Sequence, residues 1–355
     1  MAVRTTKMHL SSVFIHGDLN SEDILERAAR GEFRVIFACP EMVESLRFAR
    51  ILHCEAFKSL LQAIYIDEAH SVYESWDWRP AYSRISGLRR TLSQNVPLIA
   101  LSATLPTPYR TALLKHAGLH EDYILLNLGN FRPELSLAVM PLKYDKTSFQ
   151  DLAFTLPWGI SAEEILVTLI YCDDIVLLTQ MFWWFWHRLK QMGLPTYLVD
   201  ILHAGLLESH ESVAMDDIRR HRTRIFLATE KVGAGINFSG IRRMIQYLAK
   251  NLSISRLDQR RRRMARDDDL PGMGYLFIEE QFFTDGELNS EDKVPIDEGI
   301  LKLVRTPGCY QEVLGSLLEN PPSFPSLHTG RLLASLLFQL QPRAQAVTGI
   351  PSCDG

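Results

Sequence analysis

The sequence predicts an α/β protein made of two successive parallel-sheet halves followed by a short helical C-terminal segment. Three observations carry that expectation. Short apolar runs alternate with amphipathic stretches along most of the 355 residues, the rhythm of strands joined by crossover helices. Several of those runs stop at polar, chemistry-bearing residues: Ala63–Ile66 at Asp67-Glu68, Val96–Leu101 at Ser102-Ala103-Thr104, and Arg224–Leu227 at Ala228-Thr229. Ligands of open α/β sheets sit just outside the carboxyl ends of the strands. The length itself suits two domains with a fragment of a third, divided here as 1–128, 129–280 and 281–355.

Taken in order, Ser21–Arg30 reads as a helix, its acidic start Ser21-Glu22-Asp23 favouring the N-terminus. Arg34–Cys39 is a strand running into Pro40-Glu41. Ala63–Ile66 is a buried strand, followed by an aromatic loop over Tyr73–Pro80 and a helix to Arg90. Val96–Leu101 is the next strand, with a helix after Pro108 and a strand near Tyr123–Leu128. Gly129–Pro133 and the polar stretch Lys143–Gln150 read as linker. In the second half, strand Ile165–Cys172, helix Met181–Met192, strand Thr196–Leu202, helix Glu211–His221, and strands Arg224–Leu227, Arg243–Tyr247 and Gly274–Ile278 repeat the pattern. Glu279–Ile296 is acidic and reads as a flexible surface segment.

Composition sets bounds. Hydrophobic content of 46% and charged content of 23% are those of a globular protein. The net charge of −4 carries no global nucleic-acid signature, but basic clusters at Arg84–Arg90, Arg219–Arg224 and Arg256–Arg266 allow a locally positive groove. Five scattered cysteines argue against a disulfide scaffold and for a reducing compartment. The N-terminal residues lack the apolar core of a signal peptide. Ile165–His187 imitates a membrane span, yet Asp173 and Asp174 interrupt it at about 2.5–3.5 kcal/mol each at a bilayer centre, so a strand, a turn and an aromatic-rich helix are expected instead.

The richest stretch is Leu61–His70, LQAIYIDEAH. Of its two adjacent carboxylates, one suits a hard cation such as Mg²⁺, held through water, and the other can take a proton from a water attacking a phosphoryl group. Alone, such a pair is more often a solvated acidic turn, and Ser-Ala-Thr and Gly-Ala-Gly are common local punctuation. The basic run at Arg260–Arg263 could equally be an import patch or a solvated face, and the aromatic run Phe182–Trp186 reads as core. Their shared order is what distinguishes this chain.

In that order, the residues resemble the core of a RecQ-like superfamily 2 DNA helicase, from about Val35 to Ile278. Asp67-Glu68-Ala69-His70 matches the Walker B, or DEAH, motif. Trp76-Asp77-Trp78-Arg79-Pro80 matches the family's aromatic-rich loop, one residue shorter than usual. Ser102-Ala103-Thr104 matches the SAT motif, and Phe131-Arg132-Pro133 the entry to the second domain. Tyr171-Cys172, His203-Ala204-Gly205-Leu206, and Ala228-Thr229 with Gly233, Gly235, Ile236 and Asn237 fall on later motifs. The run Gln259–Asp267, QRRRRMARD, places Gln259, Arg263 and Arg266 on the last one. Arg262 and Ala265 stand where the family usually has glycines, which bears on the geometry of that loop.

The resemblance implies two RecA-like domains, the first truncated, with ATP and Mg²⁺ as cofactors. It implies that Asp67 holds Mg²⁺ through water and Glu68 activates water, with Gln259, Arg263 and Arg266 completing the catalytic set from across the cleft. An arginine facing the γ-phosphate there acts as an arginine finger. Ala69, His70, Ser102, Thr104, Thr229, Gly233 and Gly235 would couple hydrolysis to movement. Pro40, Glu41, Trp76, Trp78, Arg79 and His203 would contact nucleic acid, the aromatic rings stacking on bases at about 1–3 kcal/mol each. Single-stranded and duplex DNA are the implied partners, unwound 3′ to 5′ in the nucleus, with salt-dependent binding. The aromatic loop disfavours an RNA helicase of the same superfamily.

Two departures bear on activity. The sequence contains neither GxxxxGK[ST] nor any Gly-Lys dipeptide, although such a loop cradles the phosphates in these enzymes. The chain is therefore expected to begin inside the first RecA-like domain. Cys309 and Cys353 resemble two members of the family's four-cysteine zinc site, but two thiolates do not make a tetrahedral site, so no stable zinc is expected. The alternative to an ATP-driven DNA helicase is a catalytically inactive nucleic-acid-binding or interaction protein that kept the fold.

Overall fold

The computed structural model describes residues 10–16, 21–75, 79–92, 96–203, 213–214, 216–217, 220, 222–229, 240–266, 271–284 and 296–321. The first half opens with β1 (Ser12–Ile15), α1 (Glu22–Ala29) and β2 (Val35–Ala38). Short helices α2 (Pro40–Val43), α3 (Leu46–His53) and α4 (Glu55–Leu60) follow. Then come β3 (Ile64–Ile66), α5 (Ser71–Glu74), α6 (Gly87–Thr91), β4 (Leu98–Ala100) and α7 (Thr107–Ala112). Its strands form two separate parallel ladders, β1 with β2 and β3 with β4. A core built on Leu25, Phe48 and Ile51 lies under the first, and one built on Ile66, Val72 and Leu113 under the second.

The second half is a six-stranded, all-parallel sheet in the order β5-β10-β9-β6-β8-β7. Its elements are β5 (Leu135–Pro141), β6 (Thr168–Tyr171), α8 (Ile175–Gln191), β7 (Val199–Leu202), β8 (Ile225–Ala228), β9 (Arg243–Tyr247), α9 (Ile254–Arg261) and β10 (Gly272–Ile278). Helices α10 (Glu298–Arg305) and α11 (Tyr310–Leu317) close the described chain. Every residue of β6 and β8 is buried, as a parallel strand covered on both faces requires. The two-residue alternation of strands divides them cleanly. Leu169, Phe226, Met244 and Leu276 face a core shared with α9, α10 and α11, whereas Ile170, Leu227, Ile245 and Phe277 face α8.

Asp174 ends the apolar span: its carboxylate accepts from the amides of Val176 and Leu177, both at 3.0 Å, and starts α8 there. The helix then buries Leu177, Met181, Phe185 and Leu189 at four-residue spacing, each contributing about 1.5–3 kcal/mol. Among the described residues no helix is long and apolar enough to cross a membrane.

Several expectations need correction. Tyr123–Leu128 joins no ladder among the described residues; Ile124, Leu125, Leu126 and Leu128 are exposed, so the apolar run is not a buried strand. Lys143–Gln150 is no linker, because it follows β5 within the second half. There the amides of Lys143 and Tyr144 donate to Asp151, and Tyr247 OH donates to Lys146 O. Strands β1 and β5 were not anticipated. Helix Glu211–His221 falls largely outside the described residues, as does most of Glu279–Ile296.

Candidate functional site at the cleft between the halves

Strand β3 delivers Asp67 and Glu68, both exposed, to its carboxyl end. The turn after it is tied to the neighbouring strand. The Ala69 amide donates to Leu101 O at 2.8 Å and the Leu101 amide to Ile66 O at 2.9 Å. Glu68 sits at φ 48°, a left-handed conformation rare for a side-chain-bearing residue, and its amide donates to Asp67 Oδ1 at 3.0 Å. The two carboxylates consequently point out of one tight turn, and their hard oxygens are the donor type that Mg²⁺ takes.

Behind them lies a polar relay. Ser102 Oγ donates to Thr104 O at 2.8 Å, which uses its single proton. His70 Nδ1, 3.1 Å away, must therefore be the donor to Ser102 Oγ, and the same nitrogen lies 3.3 Å from Glu68 Oε2. Assigned from this network, the imidazole carries its proton on Nδ1. Thr104, only 1% exposed, accepts through Oγ1 from Gln259 Nε2 at 3.3 Å. Gln259 belongs to α9, so a continuous path of polar contacts leads from Glu68 through His70, Ser102 and Thr104 into the second half.

A second bridge lies beside it. Glu74, at the end of α5, accepts from Tyr109 OH at 2.9 Å, Ser253 Oγ at 3.1 Å and Arg256 Nε at 3.1 Å. Burial, with the Glu74 charge beside it, pushes the Tyr109 phenol well above its ordinary pKa. Ser253 is also the N-cap of α9, accepting from the Arg256 amide at 3.2 Å, so the start of this helix is fixed to the first half. Sequence reading missed Glu74 and Arg256, because the first was part of an aromatic loop and the second part of a basic run.

That run is mostly turned inward. Arg260, 2% exposed, forms a bidentate pair with Asp173 at 2.7 and 3.0 Å, donates to Gln246 Oε1, and lies 4.6 Å over the Tyr171 ring. Arg261 and Arg262 share the fully buried Asp258. Arg263 and Arg266 follow α9, half-buried and exposed; the Arg263 amide donates to Arg260 O at 3.1 Å and Arg266 Nε to Arg262 O at 3.2 Å. The loop question raised by the two absent glycines resolves residue by residue. Arg262 has an ordinary helical φ of −69°, and its guanidinium donates to Asn130 O. Ala265 has φ 50°, the conformation for which glycine is suited, and is held there by Ala265 N–H to Ile241 O at 3.2 Å and Arg132 to Ala265 O at 2.8 Å.

The residues singled out for nucleic acid are dispersed. Glu41 and Arg79 are paired with each other at 2.6 and 3.0 Å; the guanidinium holds the Glu41 carboxyl below its ordinary pKa and lies 4.9 Å from the Tyr82 ring centroid. Pro40 opens α2. His203 and Thr229 follow β7 and β8 at the edge of the second sheet, and the Thr229 amide donates to Leu202 O at 3.3 Å. Trp76, Trp78, Gly233 and Gly235 lie outside the described residues.

The two parallel-sheet halves are joined through α9, which reaches Thr104 and Glu74 of the first half with Gln259, Ser253 and Arg256. Residues 157–268 match the helicase conserved C-terminal domain. The chain is 26% identical over 262 residues to the ATP-dependent DNA helicase RecQ of Pasteurella multocida, covering 73% of this chain and 38% of that protein. It is 28% identical over 262 residues to the bifunctional 3′-5′ exonuclease/ATP-dependent helicase WRN of Mus musculus, covering 70% and 17%. The chain is thus similar to RecQ-type helicases over about 70% of its residues, and it spans well under half the length of these relatives. Solved structures share its fold: the DUF1998 helicase MrfA bound to DNA and AMPPNP superposes with a TM-score of 0.58 at 14% identity, covering 99% of this chain and 49% of that one. Dbp5 of S. cerevisiae bound to RNA and ADP BeF3 gives 0.56 at 17% identity, covering 94% and 74%.

Proposed function

We propose that the chain is motor-core sequence of a RecQ-like, DEAH-type helicase that couples ATP hydrolysis to 3′-to-5′ movement on DNA, acting in the nucleus on single-stranded and duplex substrates in repair and recombination. The observation that carries this reading is the polar relay from Glu68 to Gln259 across the cleft. Asp67 would hold Mg²⁺ through water. The bound ion would supply charge neutralisation at the phosphates. Glu68 would accept a proton from an attacking water, and His70, which donates to Ser102 and lies 3.3 Å from Glu68, would help orient that carboxylate. Gln259, Arg263 and Arg266 lie on or just beyond α9, so movement of that helix against Thr104 would transmit the state of the site to the second half. Thr229, Gly233 and Gly235 are proposed in the coupling set, and Pro40, Glu41, Trp76, Trp78, Arg79 and His203 in the nucleic-acid track. Residues 1–128, 129–280 and 281–355 are the proposed units.

The 355 residues hold no GxxxxGK[ST] loop to cradle phosphates, and this favours a second reading, a nucleic-acid-binding protein without turnover. DNA-stimulated ATP hydrolysis by the chain separates the two. Turnover abolished in Glu68→Gln supports the enzyme; salt-sensitive DNA binding with no turnover supports the binding protein; and neither binding nor turnover refutes both. Parallel RNA binding tests the strand preference.

A further inference from the structure

A cavity of about 410 Å³ lies where three parts of the chain meet. Tyr73 and Pro106 come from the first half, Ile254 from α9, and Lys302 and Leu317 from α10 and α11. Two ion pairs between the halves contribute to its lining. In one, Glu74 takes Ser253 and Arg256 on its two oxygens at 3.1 Å each, with side-chain exposures of 11% for Glu74 and 24% for Arg256. In the other, Glu319 grips the start of α7. Its Oε1 accepts from the Thr107 amide and hydroxyl at 2.7 and 2.6 Å, and its Oε2 from Arg110 at 2.7 Å.

Glu319 is presented by the second half, because α10 and α11 bury Ile300, Leu303, Val304 and Leu314 in that half's core, and Leu318, the residue capping α11, joins them. Its backbone has φ 55°, a strained conformation that surrounding contacts must hold. The neighbouring backbone supplies them: Asn127 donates to Glu319 O at 2.7 Å, the Asn130 amide to Asn320 Oδ1 at 2.8 Å, and the Asn320 amide to Gly315 O at 2.8 Å. The strain lies where the chain turns from α11 to face the first half.

We infer that Glu74–Arg256 and Glu319–Arg110 form a two-point clasp that holds the two halves against each other. Both are charge-assisted hydrogen bonds, the stronger class of such contacts, the first largely buried and the second half-exposed at Glu319. Glu74, Arg256 and Glu319 line the same cavity, and two separate points of attachment resist rotation as well as separation. The path through Thr104 and Gln259 is then kept in register by these contacts. The clasp operates whether or not the chain turns over ATP, so its failure and the failure of the hydrolysis reading are separate events.

The test is single-molecule energy transfer between dyes placed by bio-orthogonal chemistry at Glu121 and Glu163, both exposed and on opposite halves. The full chain without nucleotide is expected to give one narrow high-transfer population. In E74Q/E319Q the closed-to-open ratio is expected to fall at least about tenfold, equivalent to about 1.4 kcal/mol. A broad, low-transfer distribution in the unsubstituted chain overturns the clasp, as does a double variant that stays fully closed. If the double variant does not give the far-ultraviolet circular dichroism of the parent, E319Q alone carries the test. Its side chain is 36% exposed, its substitution leaves Glu74 in place, and a closed fraction unchanged in it is the overturning result.

Discussion

Removing the Arg260 guanidinium is the perturbation whose cost the structure defines best. Arg260 and Asp173 are 3% and 14% exposed at their side chains. The pair is bidentate, Gln246 Oε1 accepts from the same guanidinium, and the Tyr171 face lies beneath it. Arg260→Met keeps the volume but leaves a buried carboxylate and a buried amide oxygen without their donor. Breaking a buried pair from one side costs about 3–5 kcal/mol. For a unit of this size each kcal/mol moves the melting midpoint by about 2–4 °C, so a fall of roughly 6–20 °C is expected. Urea denaturation followed by tryptophan fluorescence reads it directly, since Trp183, Trp184 and Trp186 lie in α8. The double substitution Arg260→Met/Asp173→Asn removes the orphaned charge and is expected to recover part of the loss. A single-variant cost below about 1 kcal/mol, or strictly additive costs in the double variant, would refute a buried pair that fixes α9 to the end of β6.

Three further outcomes follow from the same geometry. Ala265→Gly is expected to stabilise the chain by up to about 1 kcal/mol, because left-handed backbone costs a side-chain-bearing residue about 1–2 kcal/mol and glycine's extra freedom when unfolded returns part of it; a lowered urea midpoint would count against this. Thr104→Val removes one neutral hydrogen bond worth about 0.5–1.5 kcal/mol, and a double-mutant cycle with Gln259→Ala is expected to show coupling, whereas zero coupling would break the proposed relay. The Glu41–Arg79 pair gives a pH signature. The folded carboxyl lies below its ordinary value of 4.5, so the unfolded chain takes up the proton first as pH falls. The stabilisation is therefore fully present above that ordinary value and is lost as pH falls through it toward the lowered one. Melting curves of the parent and Glu41→Gln are expected to differ at neutral pH and converge in acid; a constant offset across the range would exclude the pair as the cause.

The sequence disclosed the parts of this molecule whose signals are local. Strands β3, β6 and β8 are legible because each is a short apolar run that soon meets polar residues, and Asp173-Asp174 divides a span-like segment because a carboxylate at a helix start has a definite local use. Tyr123–Leu128 misled for the converse reason: four apolar residues look like a strand whether or not a neighbour exists to pair with them. The basic run from Arg256 to Arg266 was harder still. Side-chain type gave a positive patch, but the fate of each guanidinium depends on distant partners. Asp173 and Gln246 take up Arg260, Asp258 takes up Arg261 and Arg262, and Glu74 takes up Arg256. None of these partners is predictable from spacing except Asp258, which stands three and four residues before its arginines. Ala265 shows the limit from the other side. A missing glycine suggested altered loop geometry, yet the backbone keeps φ 50°, because Arg132 and Ile241 hold it from two directions. A motif's conformation can thus outlast the residue that made it cheap, provided tertiary contacts supply the difference.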